Sequence, residues 1–159
     1  MNERQNESRN EIDQNEDCNE QYENFPLDIS DPGNWKKIDQ NFRDLIVEKG
    51  PMRDNDVTFP KDSENRHFSS MYYTRRLLNG EKHDRKWLLN SKTLDRVFCF
   101  CCKLFKHDEI NIQLASEGVK DWKNLSNKLK THETSSDHII NMRSWVELET
   151  RLQKNKVID

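Results

Sequence analysis

Apolar residues are sparse over residues 1–24, a run dominated by Asn, Gln and Glu, and return afterwards in short periodic clusters. The first stretch cannot bury enough surface to offset the entropy of ordering, so it is predicted to be a disordered arm. The first cluster places Ile38, Phe42, Leu45 and Ile46 at i, i+4, i+7 and i+8, which predicts a short amphipathic helix. Gly50 and Pro51 end it, the one as a left-handed cap and the other because it cannot continue a helix. Trp87-Leu88-Leu89 and Val97-Phe98-Cys99-Phe100 are β-prone runs separated by the turn-like residues 90–95, the pattern of a hairpin. Further on, Trp122, Leu125 and Leu129 share a helical face, with Asp121 as N-cap. Ile139, Met142, Trp145, Leu148 and Leu152 repeat at helical spacing, with Ser136 or Asp137 as cap.

Between these clusters lie connections. Residues 25–35 carry two prolines and a glycine and are predicted to be an extended lead-in, and residues 54–63 a polar loop. Residues 66–78 alternate basic with aromatic or aliphatic side chains: Arg66, Phe68, Tyr72, Tyr73, Arg75, Arg76, Leu77, Leu78. Arginines beside aromatics can meet phosphates and bases, but the favoured expectation is core aromatics with a solvated arginine rim. The resulting division is an arm over 1–24, a lead-in with a short helix over 25–65, a finger domain over 66–143 and the end of a helix over 144–159. No internal repeat is visible.

Composition changes this picture in one respect. Only 32% of the 159 residues are hydrophobic and 35% are charged, so a structural metal would help a small core hold. No apolar run approaches the roughly 20 residues needed to cross a bilayer, and the N-terminus has no apolar signal stretch. A reducing compartment is expected, the nucleus or nucleus and cytoplasm, where clustered cysteines bind metal more often than they form disulfides. Charge is uneven. Residues 1–24 hold eight acids and two bases, a net of −6; residues 25–65 hold nine acids and six bases, a net of −3; residues 66–143 hold fifteen bases and nine acids, a net of +6. A basic segment behind an acidic arm suits a nucleic-acid binder, and it equally suits an ordinary solvated surface.

The candidate chemistry lies at Cys99, Cys101 and Cys102. A C-x-x-C pair lets two thiolates converge on one metal from a tight turn, and Cys99 and Cys102 have that spacing. Cys101, adjacent to Cys102, is expected to point elsewhere and to be spare. Two histidines follow, His132 and His138, with twenty-nine residues between Cys102 and His132. His132 continues the face of Trp122, Leu125 and Leu129, and His138 falls at the start of the next helix. Two thiolates and two imidazoles make a closed tetrahedral zinc shell with no open place for water. The competing expectation is a pair of buried cysteines and two surface histidines. Cys18 is read as a free thiol; His67, His83 and His107 as bystanders, with His107 near enough to rival a ligand.

WLLNSKTLDRVFCFCCKLF followed by GVKDWKNLSNKLKTHETSSDH resembles the TTF-type zinc finger at the N-terminus of hAT-family transposases and their domesticated relatives, of the zinc finger MYM-type protein 1-like and 5-like kind. The resemblance extends back through FSSMYYTRRLLNGEKHDRKWL, EKGP and DPGNW, over roughly residues 25–145. It implies Cys99, Cys102, His132 and His138 as zinc ligands, each matching in place. One departure is Asn90, where the family commonly has an aromatic residue. The family's catalytic domain is not represented, so the chain is expected to be no enzyme and to take no small-molecule substrate.

The fold expected is α+β: a small zinc-stabilised finger of a β-hairpin plus helices, behind the acidic arm. The leading functional expectation is a nuclear DNA-binding module using Lys103, Lys106, Lys120, Lys123, Lys128 and Lys130 on phosphates. The alternative is a protein-interaction module whose C-terminal helix offers Trp145, Leu148 and Leu152 to a partner. No membrane role is expected.

Overall fold

A computed structural model describes residues 28–54 and 58–157. The arm over 1–24 and Cys18 lie outside the described residues.

The lead-in opens with a single 3₁₀ turn, Pro32–Asn34, whose N-cap Asp31 accepts from Gly33 N. Helix α1 follows over Gln40–Lys49, capped by the Asp39 carboxylate on Phe42 N and ended by Gly50 at φ 77°. Its buried stripe is rotated by about one residue from the expected one. Ile46 and Val47 face inward with Phe42 beside them, whereas Leu45 is exposed.

Two antiparallel hairpins come next. Strands β1 (Thr74–Arg76) and β2 (Lys82–Asp84) pair with Arg75 opposite His83. This hairpin was not expected, because its strands are polar and mostly exposed and carry no apolar alternation. Strands β3 (Leu88–Ser91) and β4 (Arg96–Cys99) form the predicted hairpin, with Leu88 opposite Cys99 and Asn90 opposite Val97. Asp95 occupies the left-handed position of its turn, φ 51°. On the outer side of β4, Val97 exchanges both backbone hydrogen bonds with Val119, each 2.9 Å.

The run 97–100 does not stay extended. Phe100 N donates to Trp87 O at 2.7 Å as the ladder closes, and the chain turns at once into helix α2, Phe100–Phe105. Asp121 caps a 3₁₀ turn, Trp122–Asn124, that leads into helix α3, Leu125–Glu133. Helix α4 runs over Ser136–Val157. Its side-chain cap is Ser135, whose Oγ accepts from His138 N at 3.3 Å, rather than Ser136 or Asp137.

One core joins these parts. Phe100 lies against Trp145 of α4 (ring centroids 4.7 Å apart) and against Trp35 of the lead-in (6.0 Å), and Trp35 meets Phe42. A second aromatic group centres on fully buried Phe68, which touches Phe59, Tyr72, Tyr73 and Trp122. The aromatics of 66–78 are therefore largely core. Of the three residues expected to meet a partner, Trp145 and Leu148 are buried in this core and Leu152 is partly buried against it.

Candidate metal centre

The turn from β4 into α2 sets the site. Cys99 ends the strand in extended geometry (φ −92°, ψ 118°), and Cys101 and Cys102 stand in the first turn of α2. Side chains of a helix lean toward its N-terminus, so both thiols of that turn tilt back toward Cys99. The expectation that Cys101 points elsewhere is corrected: its Sγ is 3.5 Å from Cys99 Sγ and 3.9 Å from His138 Nδ1.

His138 is delivered by the first turn of α4. Its Nδ1 lies 3.5 Å from Cys99 Sγ and 3.7 Å from Cys102 Sγ. The donor atoms of Cys99, Cys101, Cys102 and His138 all fall within 4.8 Å of one another, and all four residues are buried. His132, at the end of α3, brings Nε2 to 3.5 Å from Cys102 Sγ and is itself buried. The mutually close group thus holds three of the four predicted residues together with Cys101, while His132 stands beside it at Cys102. His67, His83 and His107 are not part of the cluster.

Two residues that sequence reasoning did not single out hold the histidines. Ser135 Oγ donates to His132 O at 2.6 Å while accepting from His138 N, so one hydroxyl ties the end of α3 to the start of α4. A serine three residues before a ligand histidine is an N-cap signal; the neighbouring Ser136 obscured it. Trp87 packs on both imidazoles, with centroids 5.3 Å from His132 and 4.7 Å from His138. It is buried, and shields the site from water.

These separations fit zinc. A tetrahedral ion with Zn–S near 2.3 Å and Zn–N near 2.0–2.1 Å sets ligand atoms about 3.5–3.8 Å apart. Without a cation, three packed thiols cannot all ionise. Burial pushes the Cys99 and Cys101 thiols up, while hydrogen bonds from Cys101 and Cys99 hold Cys102 down as the thiolate of the group. A divalent cation reverses this by binding thiolates outright.

The six predicted phosphate-contacting lysines do not form one free set. Lys103 is partly buried with its ammonium 4.3 Å from the Phe98 ring, and burial, then neighbouring Lys106, lowers its pKa. Lys120 lies 4.0 Å from Asp95 and Lys128 3.3 Å from Asp121. Lys123 and Lys130 are exposed, and Lys106 is half-buried at the end of α2.

The chain is similar to zinc finger MYM-type protein 5 of Homo sapiens, with 47% identity over 132 residues covering 82% of the chain. It is 43% identical over 125 residues to the protein of the same name from Mus musculus. It spans about a fifth of the length of these curated relatives. No protein-family model and no solved structure matches it.

Proposed function

We propose that this zinc-binding module is a nuclear DNA-binding unit, derived from the TTF-type finger of a hAT transposase and without catalytic activity of its own. The observation that carries the reading is a net charge of +6 over residues 66–143, folded around a buried thiolate–imidazole cluster. The zinc is structural: four protein ligands close the shell and leave no place for a reacting water.

Five donors compete for four places, and Cys99, Cys102, His132 and His138 form the shell. Two thiolates neutralise the ion, whereas a third would leave a net negative charge in a buried site walled by Trp87. Excluding Cys101 strands only a neutral thiol, which behaves as a small apolar group. Excluding His132 strands a buried imidazole whose side chain has Cys102 as its hydrogen-bond partner.

A salt titration of a fluorescently labelled duplex with the zinc-loaded full chain tests the reading. Binding should weaken by roughly 0.9 log units per phosphate contact per log unit of salt. Deleting residues 1–24 removes a charge of −6 and should strengthen binding, most at low salt where screening is weak. No salt-dependent binding at low ionic strength, with or without the arm, would shift the reading to a protein-interaction module.

A further inference from the structure

A groove of about 770 Å³ runs between the 66–76 segment and α3. Its lining includes Arg66, Arg76, Arg85 and Lys130 and contains no carboxylate. Arg85 is neutralised by Glu133, and Arg66 shares its charge with Glu64 at 2.5 Å, whereas Arg76 and Lys130 are exposed. Tyr72 forms part of the wall, its ring stacked on Phe68 with 25° between planes, which fixes its orientation. Trp122 also lines the groove; its indole N–H is buried and has no acceptor among the described residues.

We infer that this groove is the nucleic-acid contact, taking backbone phosphates on Arg66, Arg76 and Lys130 beside the Tyr72 ring. The inference rests on the DNA-binding reading and relocates its surface. Of the six lysines expected from sequence, only Lys130 belongs to the groove; the arginines come from the segment read mainly as a core rim. Three cations converging on a concavity without carboxylates suit a polyanion. A preoriented ring beside them suits a base, since every base offers a face for stacking. Guanidinium groups match phosphate oxygens with paired donors. An unpaired strand and a duplex share this phosphodiester chemistry.

The test uses the full zinc-loaded chain and labelled oligonucleotides, one duplex and one single strand of the same sequence. Replacing both exposed cations, Arg76→Gln with Lys130→Gln, should weaken binding about tenfold or more and lower the salt slope by about two. Lys120→Gln with Lys123→Gln should change affinity less than about twofold. The charge-preserving pair Arg76→Lys with Lys130→Arg should restore most of the affinity. Both altered sites are exposed, and equal zinc content and circular dichroism confirm that each variant is folded. The oligonucleotide whose binding depends on Arg76 and Lys130 identifies the source. If the Lys120/Lys123 pair abolishes binding while the Arg76/Lys130 pair does not, the groove assignment is wrong and DNA binding stands. If the unaltered protein binds neither oligonucleotide, both fall.

Discussion

Arg85 grips Glu133 with two parallel hydrogen bonds, Nε to Oε2 and Nη2 to Oε1, each 3.1 Å, and both side chains are nearly excluded from water. Arg85 sits in the link between β2 and β3, and Glu133 directly follows His132, which stands beside Cys102. The pair therefore clamps the hairpin side of the metal centre to the end of α3. Removing the Glu133 charge leaves buried Arg85 without an anion, and removing Arg85 leaves buried Glu133 only the more exposed Arg75 at 3.5 Å. Arg85→Met or Glu133→Gln should each cost about 3–5 kcal/mol, read by denaturant unfolding of the zinc-loaded protein. The double variant Arg85→Met, Glu133→Leu should cost less than Arg85→Met alone. A double that is worse than either single would show that the contact is not an uncompensated-charge problem.

One zinc per chain is expected. Cys102→Ser, His132→Ala and His138→Ala should each lose the metal at equilibrium with a competing chelator, while Cys101→Ser and His107→Ala should keep it. Metal analysis of the purified variants reads this directly. Zinc retained by His132→Ala and lost by Cys101→Ser would instead establish the shell of three cysteines and His138.

Gly118 holds φ +83°, and a Cβ there would lie 2.7 Å from Phe98 Cζ and 2.9 Å from Arg96 Cβ. The conformation turns the chain so that Val119 can pair with Val97 beside β4. Gly118→Ala should destabilise by about 1–3 kcal/mol from backbone strain, and more if Phe98 cannot move. A melting temperature equal to the parent's would show that the turn relaxes freely.

Asp31 supplies the pH-dependent tether of the lead-in. Its carboxylate accepts from Gly33 N at 2.8 Å and from Thr93 N and Oγ1 at 3.0 and 2.8 Å, joining the Pro32–Asn34 turn to the β3–β4 turn. Burial alone would raise its pKa, but hydrogen bonds from Ser91, Thr93 and Gly33 outweigh it and hold the carboxyl below its ordinary value. The tether is thus fully present above the unfolded value, near pH 4, and is lost as pH falls through the lower folded one. Asp31→Asn should cost about 1–3 kcal/mol at pH 7. The difference in stability between parent and variant should shrink below pH 4; a gap independent of pH would refute the tether. That difference isolates Asp31 from every pH effect common to parent and variant.

The sequence displayed the elements that bury one face and the ligands that follow a known spacing. Leu88 and Leu89 opposite Cys99 and Phe98, and the helical face of Trp122, Leu125 and Leu129, carry their periodicity openly. The β1–β2 hairpin does not, since Lys82, His83 and Asp84 are exposed and pair through backbone alone. The start of α2 was hidden because Phe98, Cys99 and Phe100 read as one strand, although the chain reverses between the last two. Cys101 was misjudged for the same reason: alternation along a strand would separate its thiol from Cys102, and a helix turn brings both to one side. The Arg85–Glu133 clamp joins residues 48 apart in sequence, a pairing that no local pattern announces.

The order in which the donors leave the ribosome follows from their places in the chain. All three thiols belong to one short turn, and His138 comes 36 residues after Cys102. At ordinary synthesis rates that gap lasts about 2–7 s. For most of it the nascent chain carries three thiols with neither imidazole, since His132 follows Cys102 by 30 residues. A closed shell can therefore form only after the last histidine emerges, and slow codons between Cys102 and His138 would lengthen the interval in which the thiols stand without one.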